Sequence, residues 1–361
     1  MVNNIYMFNP KYLSKYEQIK VKDLHGYVLP HAGTKYIGKI ISHTLRFIPT
    51  KMFNKVIIFY LPSYNEPNVS YRKKKYYHEY LIPWKCFDYF FKGKDITYTG
   101  INIKESVNTT TPIYDKQTIY IISADFSHHK LFHDAINLEN KAAKSMMFRD
   151  YSDTNYNQVV DDLRTFKYVD NIIPKNLSFQ WIGRSRSEGL KGVGYLSFLI
   201  REQPKPLKKL PNGIFVTVYD SGMVSHECLG EWFTKGYKWN KTIENNLINK
   251  VIHLGKTTSR LTGGSKINSH LKYYTITYLY KKNTKKMIRG WHGIKKGAFY
   301  LPDVFLENTH SNGKWFTKED ILWKNGPFKL NDTFKKLEQK SNSINFNNYT
   351  LYESNVIHKK V

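Results

Sequence analysis

The sequence predicts two domains, an α/β domain with a mostly parallel sheet flanked by helices and then a smaller α+β domain. Three observations carry this reading. The first half alternates short β-branched or aromatic runs with stretches of helical periodicity, the pattern of parallel strands joined by crossover helices. Around residues 202–211, Glu-Gln-Pro-Lys-Pro-Leu-Lys-Lys-Leu-Pro breaks all periodicity, as a linker does. Beyond it, strand-like runs flank a single helical stretch. The boundaries that follow are 1–203 for the first domain, 204–211 for the linker, 212–330 for the second domain and 331–361 for a polar tail.

The elements follow in order. Residues 26–30 form a strand that ends at His31. Residues 35–47 carry Ile37, Ile40, Ile41 and Leu45 at helical spacing. A strand at 55–61 ends at Pro62-Ser63-Tyr64, and one at 118–123 ends at Asp125. Residues 133–148 repeat the helical pattern with Ala135, Leu138, Ala142, Ala143 and Met146. After the linker, strands at 213–219 and 273–280 bracket a helix at 243–254. Past Leu330 the chain is Asn- and Lys-rich, which predicts a weakly ordered tail with one short strand at 349–352.

Composition bounds the function. The chain has 361 residues, 41% of them hydrophobic and 16% aromatic, enough to bury a core in each domain. Lys and Arg number 56 against 29 Asp and Glu, a net charge of +27 that attracts polyanions at low salt. Only nine of the bases are arginine, whereas bidentate reading of phosphate favours arginine, so the surplus reads more as AT-rich coding bias than as a polyanion surface. Cys86 and Cys228 stand far apart and offer no disulfide framework, which fits a reducing compartment. No apolar run approaches the ~18 residues of a membrane span, and the N-terminus shows no secretory pattern. The expectation is a soluble cytoplasmic protein with no membrane partner.

In open parallel sheets, ligands bind outside the carboxyl ends of the strands. His31 follows the first strand, Tyr64 and Asn65 the second, and Asp125, Ser127, His128 and His129 the third, so the topology predicts one shared site. Imidazoles and carboxylates in such a set suit a metal ion with open positions. They equally serve as helix caps and loop anchors.

Leu29-Pro30-His31-Ala32-Gly33 resembles the Pro-His-Ala-Gly segment of the Memo family. Leu61-Pro62-Ser63-Tyr64-Asn65 stands in the place of that family's Gly-Pro-Ser-His-His, and Ser123-Ala124-Asp125-Phe126-Ser127-His128 resembles its Ser-Ser-Asp-Phe-x-His. His78-Glu79-Tyr80-Leu81-Ile82-Pro83-Trp84 loosely resembles its Glu-Met-His-Leu-Pro-aromatic segment. The resemblance covers roughly residues 20–201. It implies the fold of class III extradiol dioxygenases and a metal held by His31, with Tyr64 in place of the second histidine and Glu188 in place of the family's cysteine. Iron or copper is the implied ion, and a tyrosinate at 64 would suit ferric iron. Asp125 and His128 then either orient the ligands from beside the metal or act as base and acid, or else His128 replaces the lost imidazole.

A second ordered series resembles the AMMECR family: 210–217, Glu227-Cys228-Leu229-Gly230, Ser259-Arg260-Leu261, Trp291-His292-Gly293-Ile294, 299–304 and 323–328. The family's Arg-Gly before the cysteine is His226-Glu227 here. Cys228 is a candidate nucleophile if His226 or His292 supplies a cation, or else a small buried hydrophobe. His292 is likewise either the source of that cation or a structural turn residue. The two families occur fused and are associated with radical S-adenosylmethionine proteins, which makes such a protein the implied partner. Two lysine-rich runs, Arg72-Lys73-Lys74-Lys75 before Tyr76-Tyr77 and Lys281 to Lys286, are either weak polyanion contacts or solvated loops.

The resulting expectation is a metal-assisted redox protein with an altered ligand set, or a non-catalytic protein- or nucleic-acid-binding module with a vestigial metal site.

Overall fold

The computed structural model describes all residues except 1–6, 64–68, 72–73, 106–111, 153–158, 161–162, 188–191, 204–208, 258–269, 285–287, 289, 297 and 308–348. Most of the expected linker, 204–211, therefore lies outside the described residues. The chain divides into two units: Met1–Glu202 with Glu307–Pro327, and Gln203–Leu306 with Phe328–Val361.

In the first unit the elements run β1 (Ile19–Val21), β2 (Leu24–Leu29), α1 (Thr34–Leu45), β3 (Phe47–Pro49), β4 (Lys55–Tyr60), β5 (Val69–Tyr71), β6 (Lys74–Tyr76), α2 (His78–Phe90), β7 (Thr97–Asn102), β8 (Thr118–Ser123), α3 (Phe132–Phe148), α4 (Leu163–Ile172), β9 (Leu177–Arg186) and β10 (Gly194–Glu202). The main sheet has the order β7-β4-β8-β2-β10-β9. Its pairings β7–β4, β4–β8 and β8–β2 are parallel, but β2–β10 and β10–β9 are antiparallel.

The sheet is thus mixed, which corrects the expected mostly parallel sheet flanked by helices. The cause is the connection between β9 and β10. At 187–193 it is too short for the dozen or more residues of a parallel crossover, so the two strands form a hairpin. The apolar run inside β10 reads the same in either direction, so periodicity alone did not reveal its orientation.

The core of this sheet is the β-branched and aromatic filling of its central strands, with Val28, Ile58, Phe59, Ile121 and Ile122 fully buried. Gly26 is required where β2 meets β8, because a Cβ there would lie 2.0 Å from the Tyr120 carbonyl oxygen.

The second unit contains β11 (Gly213–Asp220), β12 (Ser225–Trp232), α5 (Lys241–Thr257), β13 (Leu271–Lys282), β14 (His292–Lys296), β15 (Ala298–Tyr300), α6 (Pro302–Glu307) and β16 (Thr350–Lys360). Its strands form one sheet, β12-β11-β13-β16-β14-β15, in which every pairing is antiparallel. One face packs Ile214, Val216, Val218 and Ile276 against Leu247 and Val251 of α5. The short strand expected at 349–352 is an eleven-residue strand in the sheet interior. Its Asn, His and Lys content disguised it, although Leu351 is fully buried and Tyr352 and Ile357 are held in the packing. Among the described residues, no helix is long and apolar enough to cross a membrane.

Candidate functional site

Parallel register builds the site in the first unit. Leu29 of β2 is the partner of Ser123 of β8, and Ala124 N–H donates to the Leu29 carbonyl at 3.0 Å. Two residues further along each chain come His31 and Asp125, so they arrive side by side at the carboxyl edge. The same edge receives the N-terminus of α2, which brings His78 and Glu79. All four side chains are buried.

The geometry is specific. His31 N–H donates to Asp125 Oδ1 at 2.9 Å, which leaves Asp125 Oδ2 facing His31 Nε2 at 3.8 Å. On the other side of the ring, His31 Nδ1 lies 3.0 Å from Ser123 Oγ. The Ser123 hydroxyl donates its proton to the Glu79 carbonyl at 2.5 Å. It must therefore accept from His31, which fixes the hydrogen on Nδ1 and turns Nε2 toward Asp125 Oδ2. The His78 ring stands edge-on to His31 with centroids 5.3 Å apart, and its Nδ1 lies 3.3 Å from Glu79 Oε2. Glu79 Oε1 accepts from Ser63 N–H at 2.7 Å, tying the end of β4 to the first turn of α2, where a carboxylate is favoured by the helix dipole.

A buried ionic network holds the loop that carries Asp125. Glu139 of α3 is fully buried between Arg184 and Arg186 of β9, with Arg184 Nη2 at 2.6 Å and Arg186 Nη1 at 3.3 Å. Arg186 also donates to Ser127 Oγ at 3.0 Å and to the carbonyls of Lys130 and Gly192 at 3.0 and 2.8 Å. Phe126 N–H donates to Gly194 O at 2.9 Å, and Gly194 N–H to Ser127 O at 2.8 Å. A Cβ at Gly194 would lie 1.9 Å from Glu139 Oε1, so only glycine fits.

Of the residues singled out in the sequence, His31 and Asp125 are brought together. Tyr64 and Glu188 lie outside the described residues. His128 is half-buried, with Nδ1 at 3.0 Å from the Phe126 carbonyl, a geometry in which that nitrogen carries the hydrogen, and its ring lies beside His129. Among the described residues, no three His, Cys, Asp or Glu side chains are grouped so as to hold a metal ion. His31, Asp125 and His128 are therefore not a complete ligand set by themselves.

Sequence reasoning missed His78 and Glu79 as site residues, and it missed the Glu139 network entirely. A usable signal existed for each. His78-Glu79 opens a helix whose N-terminus must approach the strand ends, and Arg184-x-Arg186 places two cations on one face of a strand.

In the second unit Cys228 sits on β12 opposite Thr217 of β11, whose hydroxyl donates to Sγ at 3.1 Å. The register continues through Thr275 of β13 to His358 of β16. His226 Nε2 lies 2.9 Å from Asp220 Oδ2. His292 is on β14, and three strands separate it from Cys228 in the sheet order. Its Nδ1 accepts from Ile288 N–H at 3.1 Å while its own N–H donates to Ile288 O at 2.9 Å, which are turn-forming bonds. Strand order does not set the distance between His292 and Cys228, because the sheet curls: the Lys295 ammonium of β14 lies 3.8 Å from the ring centroid of Trp232 on β12. Comparison with protein-family models and with curated proteins returns no match.

Proposed function

We propose that the cluster at the ends of β2, β4 and β8 is a proton-transfer site, with His31 as the proton carrier and Asp125 as the carboxylate that stabilises its charged form. The observation that supports this is the directed hydrogen-bond chain Glu79 O, Ser123 Oγ, His31 Nδ1, which leaves Nε2 against Asp125 Oδ2. An imidazole anchored through one nitrogen and working through the other is the arrangement of a general acid–base. His78 and Glu79 form the adjoining pair.

The test is the tautomer, read by long-range proton–nitrogen NMR on histidine-labelled protein. His31 carries its hydrogen on Nδ1 at neutral pH, and Ser123→Ala releases that preference. A wild-type ring protonated on Nε2 alone would overturn the reading.

A second reading, a metal-assisted redox site using iron or copper, draws on one distance. His31 Nε2 and Asp125 Oδ2 are 3.8 Å apart, a spacing compatible with two ligands that each bond one ion at ~2.0 to 2.2 Å. The described residues supply no third ligand, so Tyr64 and Glu188 would have to complete the set. Metal analysis of protein purified without a histidine tag separates the two readings. Stoichiometric iron or copper, lost in both His31→Ala and Glu188→Ala, supports the metal. No metal in any of the three samples removes it.

On the motifs quoted above, we place the chain as a Memo-like domain followed by an AMMECR-like domain, with a radical S-adenosylmethionine protein as the partner class. That partner is testable by co-purification from the native source.

A further inference from the structure

At the amino end of β2, opposite the end that leads to His31, lies a second set of polar groups that the proton-transfer site does not use. His25 of β2 receives two donors on one ring nitrogen. The Tyr114 hydroxyl stands 2.8 Å from Nδ1 and the Lys51 ammonium 3.2 Å from it. Lys51 follows β3, and Tyr114 precedes β8. The other ring nitrogen, Nε2, faces the Glu202 carboxylate at the end of β10, 3.7 Å away, so the hydrogen belongs there and Nδ1 keeps its lone pair. Lys51 also donates to the carbonyls of Lys116 and Thr118, the second at 3.4 Å.

A count of hydrogens singles out Lys51. Its ammonium has three, of which the two carbonyls take two, and the third competes with Tyr114 for the single lone pair on Nδ1. Tyr114 is the closer of the two. Loss of one proton from Lys51 therefore leaves every acceptor in the group with a donor. Burial acts in the same direction: it pushes the Lys51 pKa down to about 8, outweighing the charges of Asp115, Glu202 and Asp23, which raise it. At pH 7.4 roughly a fifth of such amines are neutral, against about one in a thousand at the ordinary value near 10.4. Desolvated lysines of this kind are the nucleophiles of Schiff-base chemistry.

The surroundings of the amine are apolar and open. Met52, next in the chain to Lys51, is 87% exposed, and Ile113, just before Tyr114, is 90% exposed. The hydrogen bond from Lys51 to the Lys116 carbonyl lies at the surface, within reach of a solute.

We propose that Lys51 is a covalent capture site for aldehydes with apolar tails, which it holds as an imine. The neutral amine adds to the aldehyde carbon, a C=N bond replaces C=O, and the two amine hydrogens leave with the oxygen as water. Hydrolysis reverses the step. Tyr114 is a positioning residue, which frees the amine by occupying Nδ1, while Met52 and Ile113 receive the tail. The proposal stands independently of the chemistry at His31.

The experiment is reductive trapping of the full chain with hexanal and cyanoborohydride from pH 6 to 10, read site by site by peptide mass spectrometry. The exposed Lys55 and Lys116 are the internal standards. Lys51 should be alkylated about tenfold faster than either at pH 7.4, its rate levelling off above pH 8 while theirs keeps rising. Tyr114→Phe keeps the ring that stacks on Tyr120 and removes the competing hydroxyl, so the third hydrogen of Lys51 regains an acceptor. The midpoint for Lys51 should then rise by about one pH unit and trapping at pH 7.4 should slow several-fold. Hexanal should outrun glyceraldehyde at Lys51 but not at Lys55. Lys51 reacting no faster than Lys55 and Lys116, or a pH profile unchanged in Tyr114→Phe, would overturn the proposal, and equal rates for the two aldehydes at Lys51 would overturn the apolar tail.

Discussion

Acidification should weaken the second unit through His358. This ring lies within β16, in the sheet interior, where desolvation pushes its pKa down from 6.5 to about 4. Above pH 6.5 neither the folded nor the unfolded chain holds the proton. Between 6.5 and 4 the unfolded chain takes it up and the folded chain does not, so stability falls as pH falls, and below 4 the loss stops growing. Each pH unit in that window costs about 1.4 kcal/mol, so lowering the pH from 7 to 5 removes about 2 kcal/mol and the full window about 3 kcal/mol. Urea denaturation at pH 7 and pH 5 measures the loss. His358→Leu should reduce it by about 2 kcal/mol, and NMR of ring-labelled histidine should show His358 still neutral at pH 5.5. A His358 ring that titrates near 6.5, or a His358→Leu protein that loses as much stability as wild type between pH 7 and 5, would refute the reasoning.

Three further outcomes follow from packing and charge. His25 of the first unit is held neutral in the same way, its pKa lowered to about 4 by burial and by Lys51 at 3.2 Å, so its ring resonances should also show no titration between pH 7 and 5. Gly194→Ala forces a methyl group into the Glu139 carboxylate and should lower the thermal midpoint of the first unit by several degrees, read by calorimetry. Glu139→Gln leaves two buried guanidinium groups without their carboxylate and should cost about 3 to 5 kcal/mol by chemical denaturation, whereas Cys228→Ser, which keeps an acceptor for Thr217, should cost under about 1 kcal/mol.

Strand ends and helix periodicity were legible where one signal decides. The runs before His31 and Asp125 could only be strands, and their parallel pairing brought those two residues together. Strand direction was not legible, because the buried run of β10 carries no mark of whether its neighbour runs with it or against it. His78 and Glu79 were visible as letters but not as site residues, since their role depends on where α2 begins in space. Glu139 was hidden for another reason: an acid in a helix reads as a solvent-facing residue until two arginines from a distant strand enclose it. The distance from Cys228 to His226 or His292 was not legible at all, and for His292 it depends on how the sheet curls between β12 and β14.

The placement of β16 changes what a truncation would mean. It is hydrogen-bonded on both sides, to β13 and to β14, yet in sequence it follows β14 and β15 only after a long interval. A chain stopped before Thr350 would therefore lose a middle plank and keep the outer ones. Two raw strand flanks would face water in its place, each able to recruit a strand from another molecule. Premature termination there should yield aggregates, not a shortened working protein.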